Sequence, residues 1–229
     1  MSDTQQEVSD RPAASKDLAD WLLARGRHWV TTTEMVNLIN IPADQVRVVA
    51  ARLVKKSQLF SPTRGAYVPI PPEFRSWGVV PASHFIDALM KHLGHDYYVG
   101  YLSAAEVHGS AHQRPQVFQV LTPARLKDRS FGRVRIEFTS SAHLSHRPVV
   151  TINTPTGVMR VSSPEVTVFD LVADPQHGGG LSNIATVIAE LLDNDHLSNT
   201  ALAEIADLYR VAVRQRVGWL VDRVLPKVG

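Results

Sequence analysis

Ten histidines are the first residues whose spacing could do chemistry. His108 and His112 stand four apart, and His92 with His95 and His143 with His146 stand three apart, which suits one helix face. A catalytic zinc site needs a third protein ligand. Gly109 follows His108 at once, so a helix is expected to end before His112, and no His-Glu-x-x-His occurs. These pairs read as hydrogen-bonding or surface histidines, with no metal and no cofactor expected. Glu137, in Arg135-Ile136-Glu137-Phe138-Thr139, is the best strand acid for a magnesium-dependent nuclease, but the lysine of an acid-x-Lys pattern is missing. His177-Gly178-Gly179-Gly180 has the look of a hydrolase oxyanion loop, yet no Gly-x-Ser-x-Gly elbow accompanies it. The three glycines read as a joint between elements. No catalytic residue is assigned, and the chain is not expected to be an enzyme.

The chemistry that does emerge is recognition of a polyanion. Arg25, Arg27, Arg47, Arg52, Lys55, Lys56 and Arg64 fall in one stretch against only Glu34 and Asp44. On a helical wheel, Val46, Val49, Ala50, Leu53 and Val54 share the side that must pack on a core. Gln45, Val48, Arg52 and Lys55 share the other side with small Ala51, and Arg47 and Lys56 lie on the flanks. That outer face suits a DNA groove. Arg52 can donate to guanine, Gln45 can pair with adenine, and Val48 can touch a thymine methyl. Arg47, Lys55 and Lys56 suit phosphates, Arg64 a minor groove, and Thr33 joins the set from the preceding helix. On a lone helix these charges would read as a solvated face; their setting decides otherwise.

Thr31 and Glu34 have capping-box spacing, and Met35, Leu38 and Ile39 follow as an apolar face. Asn40-Ile41-Pro42 interrupts the helix, with Pro42 suited to the first position of the next, over about Ala43 to Lys56. Leu59-Phe60-Ser61 and Ala66-Tyr67-Val68 then form strands about Pro62-Thr63-Arg64-Gly65. With a first helix over Lys16 to Arg25, this order predicts a winged helix-turn-helix.

The 229 residues allow one large domain or two small ones, and the net charge of +2 is modest. There are no cysteines, which excludes disulfide scaffolds, thiolate zinc fingers and cysteine nucleophiles. No apolar run approaches the length of a membrane span, and Met1 to Ser15 does not resemble a signal peptide, so a cytoplasmic protein with no membrane partner is expected. The chain is expected to divide into a disordered tail (1–14), a winged helix-turn-helix (15–70), a proline-rich linker (71–81) and a mixed α/β domain (82–229). That last domain should hold helices from Ser83 and from Leu102 to His108. Strands follow over Val117–Thr122, Arg133–Phe138, Val149–Asn153 and Val158–Val161, then a helix from Ser163-Pro164-Glu165 and a closing helical bundle. The fold class is α+β, because strands come before helices rather than alternating with them. Arg125, Lys127, Arg129, Arg133 and Arg135 form a second basic stretch. It reads equally as a solvated edge or as an extension of a DNA or acidic-protein surface.

The chain resembles the AbiEi-type antitoxins of abortive-infection toxin–antitoxin systems. The resemblance rests on Tyr97-Tyr98-Val99-Gly100-Tyr101-Leu102-Ser103-Ala104-Ala105-Glu106-Val107-His108-Gly109, running on through His112-Gln113-Arg114-Pro115 into a strand. Ser163-Pro164-Glu165 with Phe169-Asp170-Leu171-Val172 is a second match. Ala206-Asp207-Leu208-Tyr209 with Arg216-Val217-Gly218-Trp219-Leu220 is a weaker third. The resemblance implies a monomer whose winged domain binds inverted repeats in operator DNA and represses its own operon. It implies further that the C-terminal domain counters a nucleotidyltransferase-like toxin, by direct contact or indirectly. The alternatives are a ligand-sensing regulator without a toxin and, behind it, a DNA-binding nuclease.

Overall fold

The computed structural model describes residues 11–110, 115–194 and 196–224. Most of the tail expected over 1–14 lies outside the described residues, as do His112, Gln113 and Arg114. Among the described residues the chain is mixed α+β, with nine α-helices and two sheets. It divides into two compact units: Met1–Leu89 with Phe131–Val134, and Met90–Ser130 with Arg135–Gly229.

The first unit holds α1 (Leu18–Ala24), β1 (Val30–Thr31), α2 (Thr32–Ile39), α3 (Ala43–Lys55), β2 (Leu59–Thr63) and β3 (Ala66–Pro69). The capping box forms: the Thr31 hydroxyl accepts from the Glu34 amide at 3.2 Å, and the Glu34 carboxylate accepts from the Thr31 amide at 2.7 Å. Asn40 ends α2 at φ 51°, a left-handed conformation that asparagine tolerates better than most residues. Pro42 is the N-cap of α3, one residue earlier than the first-turn position expected for it. Val46, Ala50 and Leu53 face Leu18, Leu22 and Met35 in the core. Val54 does not join them and is 40% exposed. The buried stripe of α3 follows i, i+4, i+7, and Val54 lies a further 100° around the helix from Leu53.

The first sheet has the order β1-β3-β2, with antiparallel neighbours. β2 is an edge strand, so Pro62 costs no ladder bond from the central strand, and the register shifts between Phe60 and Thr63. Ser61 Oγ compensates by donating toward the carbonyls of Thr63 (2.8 Å) and Ala66 (3.0 Å). Gly65 turns the hairpin at φ +78°, a region open to glycine without strain. The Thr32 amide donates to the Gly65 carbonyl at 2.9 Å and so ties the turn to the start of α2. β1 is too short to show any alternation in sequence.

Downstream, 3₁₀ turns occupy Pro72–Phe74 and Ala82–His84, and α4 (Ile86–Leu93) spans the division between units. The remaining elements are β4 (Tyr98–Val99), α5 (Tyr101–Val107), β5 (Phe118–Thr122), β6 (Arg129–Phe131), β7 (Val134–Ser140), β8 (Val149–Thr154), β9 (Gly157–Ser162), α6 (Pro164–Ala173), α7 (Leu181–Asp193), α8 (Asn199–Ala206) and α9 (Val211–Val224). The second sheet has the order β6-β7-β5-β4-β9-β8. β5 runs parallel to β7 and β4 parallel to β9, while β4/β5 and β8/β9 are antiparallel. Inner β4 is only two residues long. Gly100 follows it, where a Cβ would lie 2.3 Å from Leu121 Cδ1. α6 is buried from Glu165 to Val172, and Ile184, Ile188, Leu202, Val217 and Leu220 from the three later helices share its core.

Candidate functional site

Two groups of residues stand out, one cationic and exposed in the first unit, one polar and buried in the second. In the first unit, Arg27 is engaged by Glu34 at 2.8 Å, and the Arg25 guanidinium lies 4.0 Å over the Trp21 ring. Arg47, Arg52, Lys55, Lys56 and Arg64 are exposed, as are Thr33, Gln45 and Val48. None of the five cations forms an ion pair with another described residue. Thr32, Arg47, Ser61, Arg64, Gly65 and Tyr67 line an open concavity of about 720 Å³ between α3 and the hairpin. Arg47 and Arg64 therefore share one site. Arg52 and Lys56 belong to a second, smaller hollow with Lys16, a residue that sequence reasoning did not single out. Thr33, Gln45, Val48 and Lys55 line neither hollow.

The second basic stretch is spread over several elements. Arg125 and Lys127 precede β6, Arg129 is in β6, Arg133 is in the turn after it, and Arg135 is in β7. Arg133 stacks 4.2 Å over Trp77, and burial lowers the proton affinity of half-buried Arg129. The strand expected over Arg133–Phe138 forms, but it begins after the turn, at Val134, and runs on to Ser140. Glu137 in that strand is paired rather than open: His177 Nδ1 is 3.4 Å from it, and His177 Nε2 is 3.2 Å from Asp174. The His177 ring stacks on Tyr101 with centroids 4.5 Å apart. No group of three or more His, Asp or Glu able to hold a metal occurs among the described residues. Buried His108 approaches the Ser162 carbonyl with Nε2 at 2.8 Å, and burial lowers its pKa.

The buried group centres on Asp170 of α6. Tyr98 OH donates to its Oδ2 at 2.7 Å, and Tyr209 OH donates to Oδ1 at 2.7 Å. Arg147 Nη1 donates to Oδ1 at 2.8 Å and to Tyr98 OH at 2.9 Å. The guanidinium also sits 4.7 Å over the Tyr209 ring, whose other neighbour is Phe169, stacked at 4.8 Å. Burial pushes the Asp170 carboxyl up, against the pull of Arg147 and the two phenols. Burial also works against the charge on Arg147, and the Asp170 carboxylate with the phenolic oxygens outweighs it. Three donors converging on one acceptor is the pattern of an ionised carboxylate. Burial first, and the Asp170 charge second, raise the pKa of both phenols. The network joins β4, α6, the segment before β8 and the segment before α9. Ser163 caps α6, accepting from the Val166 amide, and donates to buried Glu165 at 3.0 Å.

The model of the AbiEi antitoxin C-terminal domain matches residues 98–223. The chain belongs to the AbiEi antitoxin family. The match takes in all four members of the Asp170 network, from Tyr98 to Tyr209. In this AbiEi antitoxin domain the sequence features that resembled the family therefore meet in space: the tyrosine-rich stretch, the α6 motif and the Leu208-Tyr209 segment converge on one carboxylate. Arg147 belongs to none of those motifs and gave no local signal. The chain is also similar in fold to the RV2827C protein from Mycobacterium tuberculosis, whose crystal structure aligns at a TM-score of 0.66 with 16% identity. That alignment covers 94% of this chain and 78% of the other. No curated protein matches the sequence.

Proposed function

We propose that this AbiEi-family protein is an autoregulating, non-enzymatic antitoxin. Its first unit acts as a winged helix-turn-helix within residues 15–70, binds inverted repeats in operator DNA as a cytoplasmic monomer, and represses its own operon. Residues 71–81 link it to an antitoxin domain over 82–229 that counters a nucleotidyltransferase-like toxin. The observation carrying the DNA half is the cation set on α3 and the hairpin, exposed and without carboxylate partners among the described residues. Exposed, unneutralised Lys and Arg release counterions from a phosphate backbone on binding. In this reading Arg52, Gln45 and Val48 meet base edges. Arg47, Lys55, Lys56 and Thr33 meet phosphates, and Arg64 enters a minor groove.

The toxin half is supported by the family match over 98–223. A promoter–reporter fusion and a toxin co-expression assay test the two halves separately. The full chain should repress the reporter and restore growth. Arg52→Ala with Arg64→Ala should lose repression while still restoring growth. Repression by that double variant equal to the parent's would remove the assigned DNA face. Failure of the full chain to restore growth beside its neighbouring toxin gene would remove the antitoxin assignment.

A further inference from the structure

The two edges of the second sheet are built differently. β6, at one end, is three residues long, carries Arg129, and has Lys127 and Arg133 beside it. A short cationic edge of that kind resists pairing with another chain. β8, at the other end, is six residues long and reads Val149-Val150-Thr151-Ile152-Asn153-Thr154, with no charge and no proline. Its register with β9 runs unbroken from Val149↔Ser162 to Thr154↔Gly157. It has neither the brevity, the charge, the proline nor the bulge that usually closes an edge to other chains.

The bonding direction of each residue in β8 follows from its two ends. The Ser163 amide donates to the Pro148 carbonyl, and Thr154 and Gly157 flank a two-residue turn, so Val150, Ile152 and Thr154 bond to β9. Val149, Thr151 and Asn153 therefore turn their amides and carbonyls away from it. Thr151 and Asn153 are exposed. Val150 and Ile152 are half-buried, beside buried Val161 and Met159, their partners across the ladder.

We propose that this edge pairs with the same edge of a second copy, antiparallel and centred on Thr151. In that register Thr151 meets its own counterpart, Val149 meets Asn153, and Val150 meets Ile152. About six main-chain hydrogen bonds form. Val150 and Ile152 of each copy also extend the apolar row of Met159 and Val161 into the other. A strand without charge does not repel its own image, and a two-fold contact closes as a dimer rather than growing into a fibre. One strand pair falls below the roughly 1,200 Å² of a stable complex, so the protein is a monomer when dilute and pairs as concentration rises.

The chain has no cysteine, which makes single-cysteine variants clean probes. In the proposed register the two Thr151 Cα atoms are about 5.5 Å apart, within disulfide range, and the two Asn153 Cα atoms about 14 Å apart, well outside it. Under mild oxidation of concentrated protein, Thr151→Cys should form an interchain disulfide far faster than Asn153→Cys. In sedimentation velocity over a concentration series, the parent should shift toward dimer. Thr151→Lys or Thr151→Glu alone should raise the dimer dissociation constant roughly tenfold, by setting like charges across the axis. An equimolar mixture of the two should pair again, with circular dichroism unchanged because Thr151 is exposed. A parent monomeric at every concentration, equal crosslinking of the two cysteine variants, or pairing indifferent to the Lys and Glu changes overturns the proposal. Loss of growth rescue by Thr151→Lys in a chain that never self-associates would overturn it too, and give the edge to a partner's strand.

Discussion

Arginine does opposite work in the two units. In the first, Arg47, Arg52 and Arg64 reach solvent with no carboxylate partner among the described residues. In the second, Arg147 lies under Tyr209, with Asp170 and Tyr98 accepting from one of its nitrogens. An exposed cation keeps its hydration and adds little to stability, yet its field is available to an arriving polyanion. A buried one is fixed by its partners, and removing either side leaves a charge stranded in low dielectric. The expectation is a clean separation, with substitutions in the first set changing binding but not folding, and substitutions in the Asp170 network the reverse.

The largest effect should come from Asp170→Ala, which strands Arg147 and two phenols. A cost of about 3–5 kcal/mol is expected, read as a lower urea midpoint by circular dichroism, with any remaining folded protein still binding DNA. A loss under 1 kcal/mol would break the contrast from the buried side. Joint replacement, Asp170→Leu with Arg147→Met, should cost less than Asp170→Ala, because no lone charge remains.

The buried phenols of the second unit set a pH dependence. Tyr98, Tyr101 and Tyr209 have pKa values raised above the ordinary phenol value by burial and then by nearby carboxylates. The unfolded chain loses these protons near pH 10 while the folded chain keeps them. Their contribution is thus complete below about pH 10 and falls as pH rises above it, by up to about 4 kcal/mol per pH unit for three phenols. Urea midpoints between pH 8 and 11.5 would show it, and Tyr209→Phe should flatten the slope.

On the exposed side, Arg52→Ala should cost about 1–3 kcal/mol of operator affinity, far more than it costs on random duplex. Lys55→Ala should weaken both alike and reduce the salt slope by about one. Identical discrimination in the two variants would undo their separate roles. The smallest effect belongs to a residue serving folding in the first unit: Thr31→Ala removes a helix cap and should cost about 1 kcal/mol in thermal stability.

What the sequence disclosed follows the range of each interaction. The Thr31–Glu34 cap, the Asn40 stop, the Gly65 turn and the Ser163-Pro164 helix start are set by residues within a few positions, and their patterns are local. The inner strand β4 is two residues long, and no periodicity can appear in so short a run. The Asp170 network draws Tyr98 from 72 residues away and Tyr209 from 39, so only the fold unites them. Their motifs were visible one by one, and their meeting was not. Val54 went astray because a wheel assigns a wide apolar face, while the packed stripe of α3 is narrow. Lys16 was missed because its companions, Arg52 and Lys56, lie across a turn and a core rather than beside it in sequence.

The central claim is that the exposed cations of α3 and the hairpin read a particular DNA sequence. Fluorescence anisotropy of the purified protein on its own upstream DNA and on a scrambled duplex, across a salt series, tests it most directly. The account predicts saturable binding that is tighter to the upstream DNA at every salt concentration, with both affinities falling as salt rises. Equal affinity for the two duplexes would contradict it, leaving a basic surface without a reading function.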